Sequence, residues 1–110
     1  AYERGRGYDA VLAEAARQDA LDWRGEISLE AGVLRVVMQD RAQQPLHGHV
    51  EGVLLRPLEG VEVPLGFTAT GHGRFAARLE PLRAGQWEAR LTFFDEAGTA
   101  FDMRKRFILP

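Results

Sequence analysis

The alternating stretch from Pro81 to Phe94 constrains the fold more than any other part of this sequence. After a turn at Gly85, every second position is apolar, namely Trp87, Ala89, Leu91 and Phe93. Successive side chains of a strand point to opposite faces, so this pattern predicts a strand with one buried face. Burying a large apolar side chain fully contributes about 1.5–3 kcal/mol. We therefore predict that this stretch is the central strand of the core, with Trp87 at its buried end.

Short apolar runs separated by turn residues fill the chain from Glu26 onwards. Seven runs recur at a spacing of about ten residues, which is typical of a β-sandwich. Residues 61–67 form one of these runs, and Pro64 and Gly66 within it favour an edge strand. Residues 70–73 are predicted to be a turn. No helical pattern separates the runs, so we predict a mainly β fold, an immunoglobulin-like seven-stranded antiparallel β-sandwich.

The N-terminal segment has a different period and predicts a single α-helix. Its apolar residues recur at spacings of three and four, namely Tyr8, Val11, Leu12, Ala15, Ala16 and Ala20. This spacing predicts an amphipathic helix of about four turns whose polar residues, Arg17 and Gln18 among them, face away from the packed side. Because the apolar stripe is narrow, we expect the helix to lie against a sheet surface, as a cap over one sheet edge, or against a partner. The chain therefore divides into a helix over residues 1–23 and a sandwich over residues 24–110.

Composition excludes several function classes. A chain of 110 residues fits one domain, and its net charge of -2 gives no basic face for nucleic acid. The absence of cysteine excludes disulfides, thiolate zinc sites and a cysteine nucleophile. The one serine, Ser28, lies in a predicted strand outside any G-x-S-x-G motif. We therefore predict that the protein is not an enzyme.

Charged residues on the strands favour structural ion pairs over an anion site. Arg74, Arg78 and Arg90 fall on outward positions of neighbouring strands, interleaved with Glu80 and Glu88. Opposite charges on adjacent strands pair readily. We predict cross-strand ion pairs there.

Three histidines form the candidate metal site. His47 and His49 are two residues apart in a loop, and His72 lies in another turn. Imidazoles suit copper and zinc, and the thioethers of Met38 and Met103 would suit cuprous copper. Both methionines are in phase with apolar neighbours, which favours a place in the core. The alternative interpretation of the chain is therefore a copper-binding sandwich that uses the three histidines.

Several motifs occur in order along the chain. The first is Tyr2-Glu-Arg-Gly-Arg-Gly-Tyr8, followed by an alanine-rich helix that closes at Asp22-Trp23. Pro81-Leu82, Gly85 and Trp87 come later, and the last motif is Phe107-Ile-Leu-Pro110. Together these motifs resemble those of a known family, FixH (also called CcoH), many members of which have glycine where this chain has Asp22.

The resemblance implies a bitopic inner-membrane protein with one N-terminal span and a periplasmic domain, here without the span. FixH-like proteins accompany a copper-transporting ATPase in the maturation of the cbb-type haem–copper cytochrome oxidase, under microaerobic respiration and nitrogen fixation. They act by protein–protein contact and are not enzymes. The resemblance gives no metal motif and no cofactor.

Two interpretations besides the metal site remain open. The first is an accessory domain that contacts its partners through the helix, with Tyr8, Leu12 and Trp23 as the predicted contact residues. The second is an adhesion or carbohydrate-binding module. That module would need exposed aromatic residues in a row, whereas most aromatic residues here are in phase with the core.

Overall fold

The computed structural model describes the backbone of residues 2–110 and the side chains of residues 9–110. One helix, α1 (Tyr2–Leu21), precedes eight strands. The strands are β1 (Arg24–Glu30), β2 (Val33–Gln39), β3 (Gly48–Arg56), β4 (Val61–Gly66), β5 (Thr68–Gly71), β6 (Arg74–Arg78), β7 (Gly85–Asp95) and β8 (Ala100–Leu109). Within the described residues, no helix has the length and apolar character that crossing a membrane requires.

The strands form two four-stranded antiparallel sheets that pack face to face. One sheet has the order β1-β2-β6-β5 and the other β4-β3-β7-β8. The core between them contains twelve buried apolar residues: Ile27, Leu34, Val36, Met38, Val50, Leu54, Phe75, Ala77, Trp87, Ala89, Leu91 and Phe93. The predicted mainly β, two-layered fold is therefore confirmed.

Strand β7 lies inside its sheet, between β3 and β8, as the alternation predicted. Its apolar positions are all buried, and Trp87 is only 3% exposed. The indole Nε1 of Trp87 donates a hydrogen bond to the Arg83 carbonyl at 3.0 Å. The buried polar tip is thereby satisfied, which removes the penalty for burying it.

The predicted count of seven strands is wrong, because residues 61–71 form two strands in different sheets. The run 61–67 ends as a strand at Gly66, and β5 follows in the opposite sheet, paired with β6. All four residues of β5 are exposed. An edge strand without a buried face has no apolar alternation, so no pattern in the residues predicted β5 beyond the turn expected at residues 70–73.

Candidate functional site

Helix α1 contacts the sandwich through the polar side chains of its last turns. The Gln18 side chain forms two hydrogen bonds with the backbone of Asp102 on β8: Nε2 donates to the carbonyl at 3.0 Å, and Oε1 accepts from N–H at 2.9 Å. Arg17 donates to the Ala100 carbonyl at 2.8 Å and also pairs with Glu14. Gln18 thus takes the place of a neighbouring strand at an exposed sheet edge.

This anchoring corrects the predicted orientation of the helix. The sequence placed Arg17 and Gln18 on the side facing away, but these residues hold α1 to β8. The apolar stripe does not do so, because residues 9–16 are all exposed. The prediction failed because the spacing of apolar residues shows only which face of a helix can be buried. It does not show that a side-chain amide, here that of Gln18, forms hydrogen bonds with a strand 84 residues away.

Trp23 closes the junction between α1 and the sandwich. It is half-buried, and its ring centroid lies 5.7 Å from that of Phe93 and 6.0 Å from that of Phe101. The pair with Phe93 is edge-to-face, and such pairs contribute about 0.5–1.5 kcal/mol beyond area burial. Trp23 therefore fixes the base of the helix to the core, and its role in partner contact stays a prediction.

The other two predicted contact residues, Tyr8 and Leu12, lie within α1, nearer its N-terminus. Leu12 is 49% exposed, and its neighbour Val11, which the sequence did not single out as a contact, is 66% exposed. The side chain of Tyr8 lies outside the described residues. Leu12 and Val11 together place an apolar surface in solvent on a helix whose base is held rigidly.

The free edge of β8 offers little room for an added strand. Its first half is bonded to Arg17 and Gln18. Further along, Lys105 pairs in register with the buried Ala89 and so occupies an inward position, with Nζ 5.9 Å from the Phe107 ring centroid. Inward-directed charges on edge strands hinder edge-to-edge pairing. In the opposite edge strand of that sheet, β4, Pro64 removes one backbone donor.

An apolar cleft of about 520 Å³ lies between the ends of β1 and β8. Its walls include Leu29, Leu82 and Phe107, and among the described residues that line it Glu80 is the one with an ionisable side chain. A pair of groups for acid–base catalysis is therefore not present in this cleft.

Glu88 forms ion pairs, but not the predicted ones: Arg90 lies two residues along the same strand, and the cross-strand partner is Arg106. Arg74 and Arg78, predicted as partners from neighbouring strands, lie on β6 in the other sheet. The Glu88 side chain is only 5% exposed and accepts hydrogen bonds from Arg90 Nε at 2.7 Å and, across the strands, from Arg106 Nε at 3.5 Å. The hydrogen bond from Arg90 is the main reason that the pKa of Glu88 lies below its usual 4.5, and the charges of Arg90 and Arg106 add to the effect.

A lowered carboxylate pKa makes stability depend on pH in a defined direction. The contribution of Glu88 is fully present above the unfolded-state pKa, near 4.5, and is lost as the pH falls through the lower folded-state pKa. We expect urea denaturation between about pH 5 and pH 2 to show a shallower loss of stability for Glu88→Gln than for the parent protein. Equal slopes for the two proteins would contradict this assignment.

The structure brings two of the three histidines together. The ring centroids of His47 and His72 are 5.2 Å apart with planes at 81°, and both side chains are exposed. His49 instead stacks on Phe94, with ring centroids 5.1 Å apart. Within residues 9–110, no group of three or more His, Cys, Asp or Glu side chains is placed to hold a metal ion.

The two methionines lie in the core region. Met38 is fully buried, and Met103 is half-buried against the same cluster. Both sulfur atoms lie against the position that a Cβ would take at Gly25. The space in front of them is filled by the β1 backbone, which agrees with the interpretation of both residues as core.

Comparison with one solved structure, that of CopC, supports the fold. CopC from Methylosinus trichosporium OB3b superposes with a TM-score of 0.56, covering 77% of this chain and 92% of its own at 8% identity. The Lin-41 filamin domain gives a TM-score of 0.49, covering 71% and 89% at 18% identity. At 8% identity, the likeness to CopC concerns the β-sandwich alone.

Comparison by sequence gives a family. No curated protein sequence matches this chain. The sequence model of one family, FixH, matches residues 1–108 and so covers both the helix and the sandwich. This protein therefore belongs to the FixH family.

Proposed function

We propose that this protein is a non-catalytic accessory domain that acts by protein–protein contact through helix α1. It supports maturation of a cbb-type haem–copper oxidase and works alongside a copper-transporting ATPase. It does so at the periplasmic side of the inner membrane, held by a single N-terminal span. Membership of the FixH family supports this assignment.

One observation carries the proposal: residues 9–16 of α1 are exposed although the last turns of the helix are firmly attached. Helical stability in proteins comes mainly from packing of an apolar face. Within residues 9–16, no side chain is buried against the sandwich. The face that contains Val11 and Leu12 therefore gains its burial from another molecule.

The composition of this face indicates the kind of partner. Leu12 and Val11 supply apolar side chains, and alanines occupy five of the positions between residues 10 and 20. The distance between packed helices depends on the side chains at the contact, so small residues allow close approach. We therefore propose that the partner contributes a helix that packs along α1, while the sandwich serves as a rigid base.

Charge substitution on this face tests the proposal. We expect a Val11→Glu/Leu12→Glu variant of the membrane-anchored protein to retain about tenfold less oxidase and copper ATPase in a pull-down from solubilised membranes. Burying unpaired carboxylates in a contact costs more than the 1.4 kcal/mol that corresponds to a tenfold change.

Leu58→Glu is the matched control, because Leu58 is 97% exposed and lies in the turn between β3 and β4, away from α1. This variant should bind as the parent does. Undiminished binding by the double variant, or an equal loss in the Leu58→Glu control, would exclude the helix face as the contact.

A further inference from the structure

The imidazoles of His47 and His72 come from different parts of the chain and meet at one end of the sandwich. His47 lies in the connection between β2 and β3, which crosses from one sheet to the other, and His72 lies in the turn between β5 and β6. Their ring centroids are 5.2 Å apart. Both side chains are exposed, so an ion from solution can reach them.

The backbones of both histidines are tied to one buried residue, Met38. The Met38 N–H donates a hydrogen bond to the Gly73 carbonyl at 2.8 Å, and the Met38 carbonyl accepts one from the Leu46 N–H at 3.1 Å. Gly73 follows His72 directly, and Leu46 directly precedes His47. The distance between the two histidine backbones is therefore set by bonds to the sandwich, while the exposed imidazoles keep their own side-chain torsions.

The two loops also touch at Gly73. This glycine has a φ of +66°, and a Cβ added there would lie 2.8 Å from the Pro45 Cβ. The left-handed conformation favours glycine, and the close approach leaves no room for a side chain. Glycine at this position thus permits the contact that brings His72 beside His47.

The separation of the rings suits a shared metal ion. With metal–nitrogen bonds of about 2.0–2.1 Å, two imidazoles on one ion have ring centroids about 4.5–5.2 Å apart at bond angles between about 90° and 109°. The 5.2 Å separation falls at the upper, tetrahedral limit of that range, so a cis pair on a tetragonal ion at 90° requires the rings to move about 0.7 Å closer. The final torsion of a histidine side chain is soft, so exposed rings can turn their nitrogens towards a common ion.

We propose that His47 and His72 form a two-imidazole site for a divalent transition metal, and that Cu²⁺ is the ion held most tightly. The preference follows from the general order of stability, in which Cu²⁺ exceeds Ni²⁺ and Zn²⁺ at nitrogen ligands. Water completes the coordination. The site is separate from the exposed face of α1, so the test of metal binding does not depend on whether α1 contacts a partner.

His49 is not a member of this site. Its ring stacks on Phe94 with planes 21° apart, and its Nε2 lies 3.9 Å from Glu51 Oε1. This arrangement differs from the predicted three-histidine set and also provides a discriminating control. A site formed by His47 and His72 alone predicts that His49 can be replaced without loss.

Titration of the 110-residue protein with Cu²⁺ tests the proposal. Calorimetry in a weakly coordinating buffer should give one ion per chain, and pulsed electron paramagnetic resonance should show nitrogen couplings from two imidazoles. Loss of groups that merely orient metal ligands costs about 10–100-fold in affinity. We therefore expect His47→Ala and His72→Ala each to weaken Cu²⁺ binding by at least about tenfold.

Zn²⁺ should bind the parent more weakly than Cu²⁺, and His49→Ala should bind Cu²⁺ as the parent does. The His47→Ala/His72→Ala double variant accounts for any copper held elsewhere on the chain. All three histidines are exposed, so the variants should keep the circular dichroism spectrum of the parent. Parent-like affinity in the double variant, or an equal loss with His49→Ala, would overturn the two-imidazole site.

Discussion

Replacing Phe93 with alanine is expected to lower the free energy of unfolding by about 3–5 kcal/mol. Phe93 is fully buried on the central strand β7. Its ring lies 5.8 Å from that of Phe75 in the opposite sheet and 5.7 Å from that of Trp23 at the base of α1. Truncation removes the packing between the two sheets and the base of α1, and it leaves a cavity that the strand backbones cannot move together to fill.

Phe94→Ala is the matched control, since it removes the same side chain one position further along β7. Phe94 faces the outside of the sheet, is half-buried, and stacks on His49. Its loss should cost roughly half of the 1.5–3 kcal/mol for a fully buried side chain. Urea denaturation with comparable m-values measures both variants, and equal costs would contradict the assignment of Phe93 to the centre of the core.

The parts of the fold that sequence predicted are those in which burial alternates. On β7, each apolar position between Trp87 and Phe93 is buried, because a strand with one face on a core must repeat every second residue. Strand β2 has the same alternation, with Leu34, Val36 and Met38 buried. Strand β5 has no buried face, and its pairing with β6 depends on backbone hydrogen bonds that any sequence can form.

The candidate sites were less accessible to prediction, because they depend on contacts between distant residues. The sequence identified three histidines as possible ligands, but only the fold brings the β5–β6 turn beside the β2–β3 connection. It identified an amphipathic helix with Leu12 on its apolar face. It did not indicate that Gln18 would hold the helix by pairing with Asp102. A polar residue that caps a sheet edge resembles any solvated residue when only the sequence is known.

Strand β3 contains a dense apolar run, Val53-Leu54-Leu55, instead of a simple alternation. This strand lies between β4 and β7, and both registers are continuous over residues 51–55. The run therefore contains no bulge. Leu54 is in the core, and Val53 and Leu55 are half-buried on the outer face of the sheet. Gly52 lies in this run with Leu91 as its partner on β7. A Cβ built at Gly52 would lie 2.6 Å from Leu91 Cδ2 and 2.8 Å from Leu91 Cα, and it would also clash with the Arg90 carbonyl oxygen.

Replacing Gly52 with alanine is accordingly expected to destabilise the protein by about 2–3 kcal/mol, the upper part of the usual range for overpacking. A flexible side chain could move aside, but two of the three clashing atoms belong to the β7 backbone, so the strands must separate.

Gly66→Ala on β4 is the matched control, because nothing lies within 4 Å of a Cβ there and its φ is not positive. That substitution should leave the free energy of unfolding unchanged or raise it by about 0.4–1 kcal/mol, because alanine gives the unfolded chain less conformational freedom than glycine does. Thermal denaturation compares the two variants, and a Gly52→Ala protein as stable as Gly66→Ala would show that β3 and β7 are not as closely paired as the register requires.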